Sequence, residues 1–247
     1  MNLSPIARYI AWLRRRLTPG EYLGLELTLG VLLFIAAAWL FGGIAEDVVS
    51  GDPLTQVDVK IALWMHEHER PALTAFMWAV SYVHSWPLPV MAALFLLYLA
   101  ANRLWRWALI ALCADVGGVV LNDAVKLAFH RERPTFSGLS AALTTYSFPS
   151  GHALGTTILY GLIALYLISR TKDWRLRVFI VTVAAFLVIL VASSRVYLGV
   201  HYVSDVVAGA AEGLAWLALC YAAITTWWQR RERRRALRSN PRRTRWP

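Results

Sequence analysis

Three short stretches of the chain carry side chains that could hold and break a phosphate ester. They are Lys126-Leu-Ala-Phe-His-Arg-Glu-Arg133-Pro134, Pro149-Ser150-Gly151-His152, and Ser194-Arg195 followed by His201 and Asp205. Fixed charges are costly in a bilayer, and the rest of the chain is apolar enough to lie in one. Their concentration between residues 126 and 205 therefore predicts a functional site.

The first stretch places Lys126 and Arg133 seven residues apart. In a continuous helix this spacing is two turns, so both side chains would lie on one face, and Pro134 is expected to end or turn the helix. Adjacent cations repel each other unless an anion lies between them, which favours an anion site. In the structural alternative, Lys126 extends its ammonium group to the membrane surface and Arg133 marks the end of a span.

The second stretch has the composition of a helix start that binds an anion. Ser150 is a good N-cap residue, and Gly151 allows a ligand to approach the backbone closely. The free N–H groups and the positive end of the helix dipole would then face that anion, with His152 beside it in the first turn. The alternative is an ordinary capped helix with a histidine at the membrane surface.

The third stretch predicts a histidine oriented by a carboxylate. His201 and Asp205 are four residues apart, so in a helix they would share one face. Asp205 could accept the Nδ1 proton of His201 and leave Nε2 free to attack. Arg195 lies near the end of a predicted span. A His–Asp pair could also serve only to hold two helices together, but all three stretches fall at span ends on one predicted side of the membrane, which favours catalysis.

The composition predicts a membrane protein. The chain has 247 residues, which fits one domain, and 58% of them are hydrophobic. Several apolar stretches are long enough to cross a bilayer. We predict an all-α, polytopic bundle of six transmembrane helices at residues 22–44, 85–101, 104–126, 152–170, 176–194 and 203–228.

Short interfacial helices are predicted between the first and second spans. Residues 55–68 are amphipathic, with Trp64 on one side and Asp58 elsewhere. Residues 71–83 are apolar but too short to cross the membrane. The alternative is that residues 71–101 form one long span interrupted by proline.

The basic residues indicate an orientation. With both termini on one side of the membrane, 19 of the 25 Lys and Arg residues fall on that side. By the positive-inside rule that side is cytoplasmic, so the three stretches face the periplasmic or extracellular side. We interpret the basic clusters as contacts with anionic membrane lipids and expect no nucleic-acid partner. Residues 1–229 are expected to form the transmembrane domain, and residues 230–247 an Arg-rich, disordered cytoplasmic tail.

The three stretches together resemble the signature motifs of the type-2 phosphatidic acid phosphatase (PAP2) superfamily of lipid phosphatases. The family patterns are Lys-x6-Arg-Pro, Pro-Ser-Gly-His and Ser-Arg-x5-His-x3-Asp, and the chain matches each of them without a departure. The motifs cover residues 126–205, and the six-span layout extends the resemblance over most of the chain. Residues 45–84 and the Arg-rich tail are not covered.

The resemblance implies a metal-independent phosphatase without a cofactor. The groups that would hold the phosphoryl oxygens are Lys126, Arg133, Ser150, Gly151 and Arg195. His201 would attack phosphorus and form a phosphohistidine, with Asp205 orienting it. His152 would give a proton to the leaving oxygen and then activate water.

The resemblance also implies a lipid phosphate substrate and a place in the bacterial plasma membrane. We favour undecaprenyl diphosphate, because recycling of that carrier requires an outward-facing phosphatase; phosphatidylglycerol phosphate, phosphatidic acid and lipid A are the alternatives. A protein that binds or flips lipid phosphates without catalysis is a rival, which the two histidines disfavour. A haloperoxidase-like protein is another, which the six apolar spans disfavour. No sequence feature specifies an oligomeric state.

Four further acidic residues lie in predicted spans without an assigned role: Glu26, Asp115, Asp123 and Glu212. We interpret them as buried polar groups that are hydrogen-bonded between helices. Asp123 and Asn122 lie one turn before Lys126, so they are also candidates for positioning its side chain.

Overall fold

The computed structural model describes residues 25–51, 53–135 and 145–239, with side chains described between residues 27 and 235. Within these ranges all regular secondary structure is helical. The helices are α1 (Leu25–Ser50), α2 (Pro53–Glu67), α3 (Pro71–Val83), α4 (Pro87–Ala101), α5 (Trp105–Phe129), α6 (Gly151–Arg170), α7 (Trp174–Tyr197) and α8 (Val203–Ser239). The predicted start of the first span at residue 22 and the side chain of Glu26 lie outside the described residues.

Among the described helices, α1, α5, α6, α7 and α8 are long and apolar enough to cross a membrane. α3 and α4 have 13 and 15 residues, and each is too short because a span needs about 20 residues. Together they meet the requirement, although the pair is bent by 40° between them. The described helices thus give five candidate spans, or six if this bent pair is one span, as in the alternative that joins residues 71–101.

Proline sets the start of three helices. Pro53, Pro71 and Pro87 are the first residues of α2, α3 and α4. Proline fits this position because its missing N–H would have no partner there and its fixed φ suits a helix. α5 ends differently, at Phe129, because His130 adopts a left-handed φ of 50°. The chain therefore turns out of α5 shortly before the arginines of the first motif.

α8 packs against α1, α5 and α6 and forms the centre of the bundle. A buried apolar core lies between α4, α5, α6 and α8 and includes Leu99, Ile110, Ile158 and Leu217. The outer faces of the spans are also apolar but remain exposed, as at Phe186, which is 60% exposed. Helices that are hydrophobic on all sides are typical of a bundle surrounded by lipid.

α2 is a helix, as predicted, and its inward face carries a carboxylate. Asp58 and Ala62 are buried, whereas Val57 and Trp64 are 46% and 58% exposed. α2 contacts α1, α7 and α8. It therefore packs on the bundle with an acidic group directed inward, which a helix lying freely on a membrane surface would not require.

α8 continues to Ser239, so residues 230–239 of the tail that was expected to be disordered are described as helical; residues 240–247 lie outside the described part of the chain. At about 1.5 Å per residue the helix is roughly 55 Å long, well beyond a hydrocarbon core of about 30 Å. The extension keeps helical structure because Arg is a good helix former. Trp228 Nε1 also donates to Glu232 Oε1 at 2.8 Å, one turn further along the helix.

Candidate active site

The three motifs meet at one end of the bundle, where α5 and α7 end and α6 and α8 begin; we call this the site end. Lys126 lies in the last turn of α5. The expectation that Arg133 continues the same helix is wrong, because α5 ends at Phe129. Arg133 lies instead in the following loop. Its NH1 donates to Val200 O at 2.8 Å, and its Nε donates to Thr145 O at 2.8 Å.

The second motif is held against the other two by its backbone. Ser150 is the N-cap of α6, and its N–H donates to Asp205 O at 2.9 Å. A Cβ atom at Gly151 would lie 3.1 Å from Asn122 Oδ1 and 3.5 Å from Lys126 Nζ. The absence of a side chain at Gly151 therefore lets the start of α6 lie against the end of α5.

The hydroxyl of Ser150 does not cap the helix as expected. It makes no side-chain capping bond, and Ser150 Oγ is buried without a hydrogen-bond partner among the described residues. Arg195 Nε is also buried without a hydrogen-bond partner among the described residues. The NH1 atom of the same side chain donates to Ser81 Oγ on α3. Buried polar groups are normally paired. Two unpaired donors at the site end are thus available to bind the oxygens of an anion.

The His201–Asp205 pair is formed, but not on one helical face as predicted. His201 precedes α8, which begins at Val203, and its Nδ1 lies 3.4 Å from Asp205 Oδ2. Ser147 Oγ also donates to Asp205 Oδ2 and lies 3.4 Å from His201 Nδ1. The carboxylate is thus fixed from several directions while it faces the imidazole.

The arrangement around His201 leaves its Nε2 without a proton. Arg133 NH1 lies 3.3 Å from this atom, and because a guanidinium can only donate, Nε2 must be the acceptor. With Nε2 as the acceptor, the proton of the neutral ring lies on Nδ1, toward Asp205. Burial, opposed by Asp205 and assisted by Arg133 and Arg195, lowers the pKa of His201 to about 4. The imidazole is therefore neutral at pH 7 and can act as a nucleophile.

His152 lies in the first turn of α6. Its Nε2 is 2.8 Å from Ser85 Oγ, at the break between α3 and α4. Lys126, Arg133, Arg195 and His201 all lie close enough for their charges to act on the His152 ring. The structure thus brings together all eight residues that the sequence assigned to the site: Lys126, Arg133, Ser150, Gly151, His152, Arg195, His201 and Asp205.

Sequence reasoning missed a group of polar residues around Asp205. Arg131 donates to Asp205 Oδ1 at 2.6 Å and to Asp58 Oδ2 at 2.9 Å. Ser204 binds both Arg131 and Asp58. Burial disfavours the charge of Arg131, but Asp205 and Asp58 outweigh it and raise the pKa of this guanidinium. The signals available in the sequence were the position of Arg131 inside the first motif and the presence of Asp58 on the predicted amphipathic helix at residues 55–68.

One of the four acidic residues without an assigned role, Glu212, forms a hydrogen bond between helices. Asn122 Nδ2 donates to Glu212 Oε2 at 2.9 Å, which joins α5 to α8 inside the bundle. Glu212 also lies close enough to act electrostatically on Lys126. Asp123 is exposed and also acts electrostatically on Lys126.

Comparisons with known proteins place this arrangement in a family. The PAP2 superfamily matches residues 103–229, just over half of the chain. Phosphatidylglycerophosphatase B of Bacillus subtilis (strain 168) is 36% identical over 96 residues, 38% of this chain and 47% of that protein. Lipid phosphate phosphatase delta of Arabidopsis thaliana is 30% identical over 189 residues, 71% of this chain and 42% of that protein. The chain thus spans less than half the length of these two relatives.

Two solved structures share the fold. A transmembrane PAP2-type phosphatidylglycerolphosphate phosphatase from Bacillus subtilis matches with a TM-score of 0.64 and 25% identity, over 81% of this chain and 96% of that one. Aquifex aeolicus LpxE matches with a TM-score of 0.51 and 20% identity, over 66% and 94%. With three complete motifs gathered at one end of a helical bundle, these similarities show that the chain is a multi-span membrane protein of the PAP2 superfamily.

Proposed function

We propose that this protein is a lipid phosphatase that acts through a phosphohistidine. One observation carries the proposal: Arg133 NH1, which can only donate, lies 3.3 Å from His201 Nε2 in a buried site that contains further cations and unpaired donors. A protein that only held a phosphate would not need a neutral imidazole fixed by a buried carboxylate.

The proposed reaction has two steps. Lys126, Arg133 and Arg195 hold the phosphoryl oxygens together with Ser150 Oγ and the N–H of Gly151, and they offset the charge that develops there. His201 Nε2 forms a bond to phosphorus as the bond from phosphorus to the leaving oxygen breaks.

The two histidines divide the proton transfers. In the first step the imidazolium form of His152 gives its Nε2 proton to the leaving oxygen and becomes neutral. In the second step the same nitrogen takes a proton from water, and the resulting hydroxide displaces His201 from phosphorus. Asp205 offsets the positive charge on the phosphorylated imidazole of His201.

We propose that the site end faces the periplasmic or extracellular side of a bacterial plasma membrane. At the opposite end lie basic residues that flank the helix ends: Arg103, Arg106, Arg170, Lys172, Arg175, Arg177 and Arg230. The positive-inside rule makes that end cytoplasmic. Two variants, each with a single cysteine at position 70 or 172, test the orientation by labelling in intact cells with an impermeant maleimide. Labelling at position 172 but not at position 70 would show that the site end faces the cytoplasm.

The substrate is proposed to be a lipid phosphate whose tail remains in the bilayer. The similarity to a Bacillus subtilis phosphatidylglycerophosphatase, in sequence and in structure, favours phosphatidylglycerol phosphate. The proposed outward orientation favours undecaprenyl diphosphate, because recycling of that carrier takes place on the outer side. Phosphatidic acid and lipid A are the further candidates. Phosphate release by the purified protein from each of the four lipids ranks them.

The catalytic proposal is tested with the purified protein, its His201→Ala variant and a radiolabelled lipid phosphate. We expect the wild-type protein to release phosphate, also in the presence of EDTA, and to yield an acid-labile phosphoprotein after rapid quenching. The His201→Ala variant should bind vanadate but show neither turnover nor label. Turnover by His201→Ala would exclude the assigned nucleophile, and binding of lipid phosphate by an inactive wild-type protein would instead favour a binding or flipping function.

A further inference from the structure

The break between α3 and α4 brings two serines to different parts of the site. We call residues 81–86 the elbow. Ser81 is 2% exposed and accepts a hydrogen bond from Arg195 NH1. Ser85 Oγ lies 2.8 Å from His152 Nε2. The elbow thus contacts one residue that is proposed to hold the phosphate and one that is proposed to move the proton.

The elbow is anchored to the bundle between these two contacts. His84 Nε2 lies 2.6 Å from the hydroxyl of Tyr160 on α6, and His84 Nδ1 lies 2.8 Å from Val80 O on its own helix. His84 is 8% exposed. Because α6 also carries His152, this anchor fixes the distance between the elbow and the His152 ring.

Counting hydrogens around Ser85 determines the direction of its contact with His152. A serine hydroxyl has one hydrogen to donate. Ser85 Oγ donates it to Ser81 O at 2.8 Å. Its contact with His152 must then be accepted from the ring, so the Nε2 atom of His152 carries a proton. This is the opposite state from His201, whose Nε2 accepts from Arg133.

We infer that Ser85 is a positioning residue that keeps a proton on Nε2 of His152 and directs this nitrogen toward the leaving group. The inference rests on the proposed function, because His152 must act on the leaving oxygen. During the reaction that oxygen replaces Ser85 as the acceptor and takes the Nε2 proton, while the proton on Nδ1 stays on the ring. Ser81 has a different role, since it supports the grip on the phosphoryl group through Arg195.

Leaving-group dependence separates the two roles. A lipid alkoxide needs a proton to leave, whereas the p-nitrophenolate of p-nitrophenyl phosphate does not. The value of kcat/KM reports the first step and is not affected by a slow release of phosphate from His201. For Ser85→Ala, kcat/KM on dioctanoyl phosphatidic acid should fall by on the order of 10- to 100-fold, at or below the lower end of the range of about 10²- to 10⁴-fold for general acid catalysis. On p-nitrophenyl phosphate it should change only slightly.

Ser81→Ala is the matched control on the same elbow. Its effect should be equal for both substrates, because the phosphoryl group is common to them. Ser85→Thr keeps the hydroxyl and should restore most of the activity on the lipid substrate. In a His152→Ala background, Ser85→Ala should have no further effect, because residues that act as a unit are not additive. Vanadate binding by each variant checks that the site is folded.

The outcomes distinguish this inference from the proposed function. Equal losses on the two substrates for Ser85→Ala, or additive losses with His152→Ala, would overturn the role of Ser85 and leave the phosphatase proposal intact. An inactive wild-type protein, or an active His201→Ala variant, would overturn the proposed function and with it this inference.

Discussion

Arg131 donates a 2.6 Å hydrogen bond to Asp205, the carboxylate that faces the proposed nucleophile. The other terminal nitrogen of the same guanidinium donates to Asp58 at 2.9 Å. The charge on Asp205 is therefore shared between His201 on one side and Arg131 on the other. Asp58 in turn offsets Arg131, so two carboxylates from different helices are balanced around one partly buried arginine.

Removal of the charge of Arg131 should change the pH dependence of the reaction. The pKa of His201 is about 4, so the imidazole is neutral above that pH. In Arg131→Met the positive charge of Arg131 no longer offsets the negative charge of Asp205. The carboxylate then stabilises the protonated form of His201 more strongly, and the pKa of His201 rises. The charges of Arg133 and Arg195 and the ring of His152 still face His201. The acidic limb of the pH profile of kcat/KM should therefore move to higher pH. The profiles of the variant and the wild-type protein are measured with the same substrate.

Arg131→Lys is the control for this shift. It keeps the charge but loses the planar fork that contacts both carboxylates, so its acidic limb should stay near that of wild type while kcat falls. A limb that moves equally in Arg131→Lys and Arg131→Met would show that geometry, not charge, acts on His201.

Loss of the Asp58 charge should destabilise the protein. Asp58 is 1% exposed and accepts from the N–H of Ser204 at 3.0 Å as well as from Arg131. Breaking a buried ion pair from one side typically costs about 3–5 kcal/mol. Asp58→Asn should lower the thermal midpoint in detergent clearly. Glu67→Gln, an exposed carboxylate on the same helix, should not; similar midpoints for the two variants would argue against the buried network.

Ser150→Ala should separate activity from stability. Because Ser150 Oγ is buried without a partner among the described residues, its removal breaks no bond there and should leave the thermal midpoint almost unchanged. If the hydroxyl binds a phosphoryl oxygen in the transition state, kcat should fall by roughly 10²–10³-fold, the loss typical of one such donor.

Thr225→Val is the matched control for Ser150. Thr225 Oγ1 is likewise buried and without a partner among the described residues, but it lies on α8 away from the motifs. Its replacement should affect neither activity nor stability. Full activity of Ser150→Ala would remove this hydroxyl from the proposed phosphate site.

Gly209→Ala should disturb the contact between the second and third motifs. A Cβ atom at Gly209 would collide with the backbone of Ser150, which a small side-chain movement cannot relieve. Overpacking of this kind costs about 1–3 kcal/mol and shifts the backbone. Both activity and thermal midpoint should decrease. Gly43→Ala is the control, since nothing lies within 4 Å of a Cβ atom there; a harmless Gly209→Ala would contradict the described packing.

The sequence predicted the residues of the site better than their geometry. Composition located the spans because a bilayer imposes a minimum apolar length, and the motifs located the histidines and the cations. The spacing argument failed for Arg133 and His201, because both lie in loops where helical periodicity does not apply. Their side chains meet nonetheless, since the packing of α5, α6 and α8 brings these loops together.

The partners of the motif residues could not be predicted from the sequence. Asp58, Ser81 and Ser85 lie between 67 and 146 positions away from the groups they contact in the site end. Serine and aspartate are common in loops and at helix ends, so their types alone indicate no partner. Only the packing of α2 and α3 on the bundle decides which hydroxyl or carboxylate reaches the site.

The bend between α3 and α4 connects the proposed chemistry to the surrounding lipid. Both helices expose apolar side chains, such as Phe76 and Leu94 at 51% and 60%, while the elbow between them contacts Arg195 and His152. A mismatch in hydrocarbon thickness changes the tilt of a span at a cost of fractions of a kcal/mol per Å. A small change of tilt is enough to lengthen a 2.8 Å contact. If the elbow positions His152 as proposed, the acyl-chain length of the host membrane is a physical variable that acts on turnover.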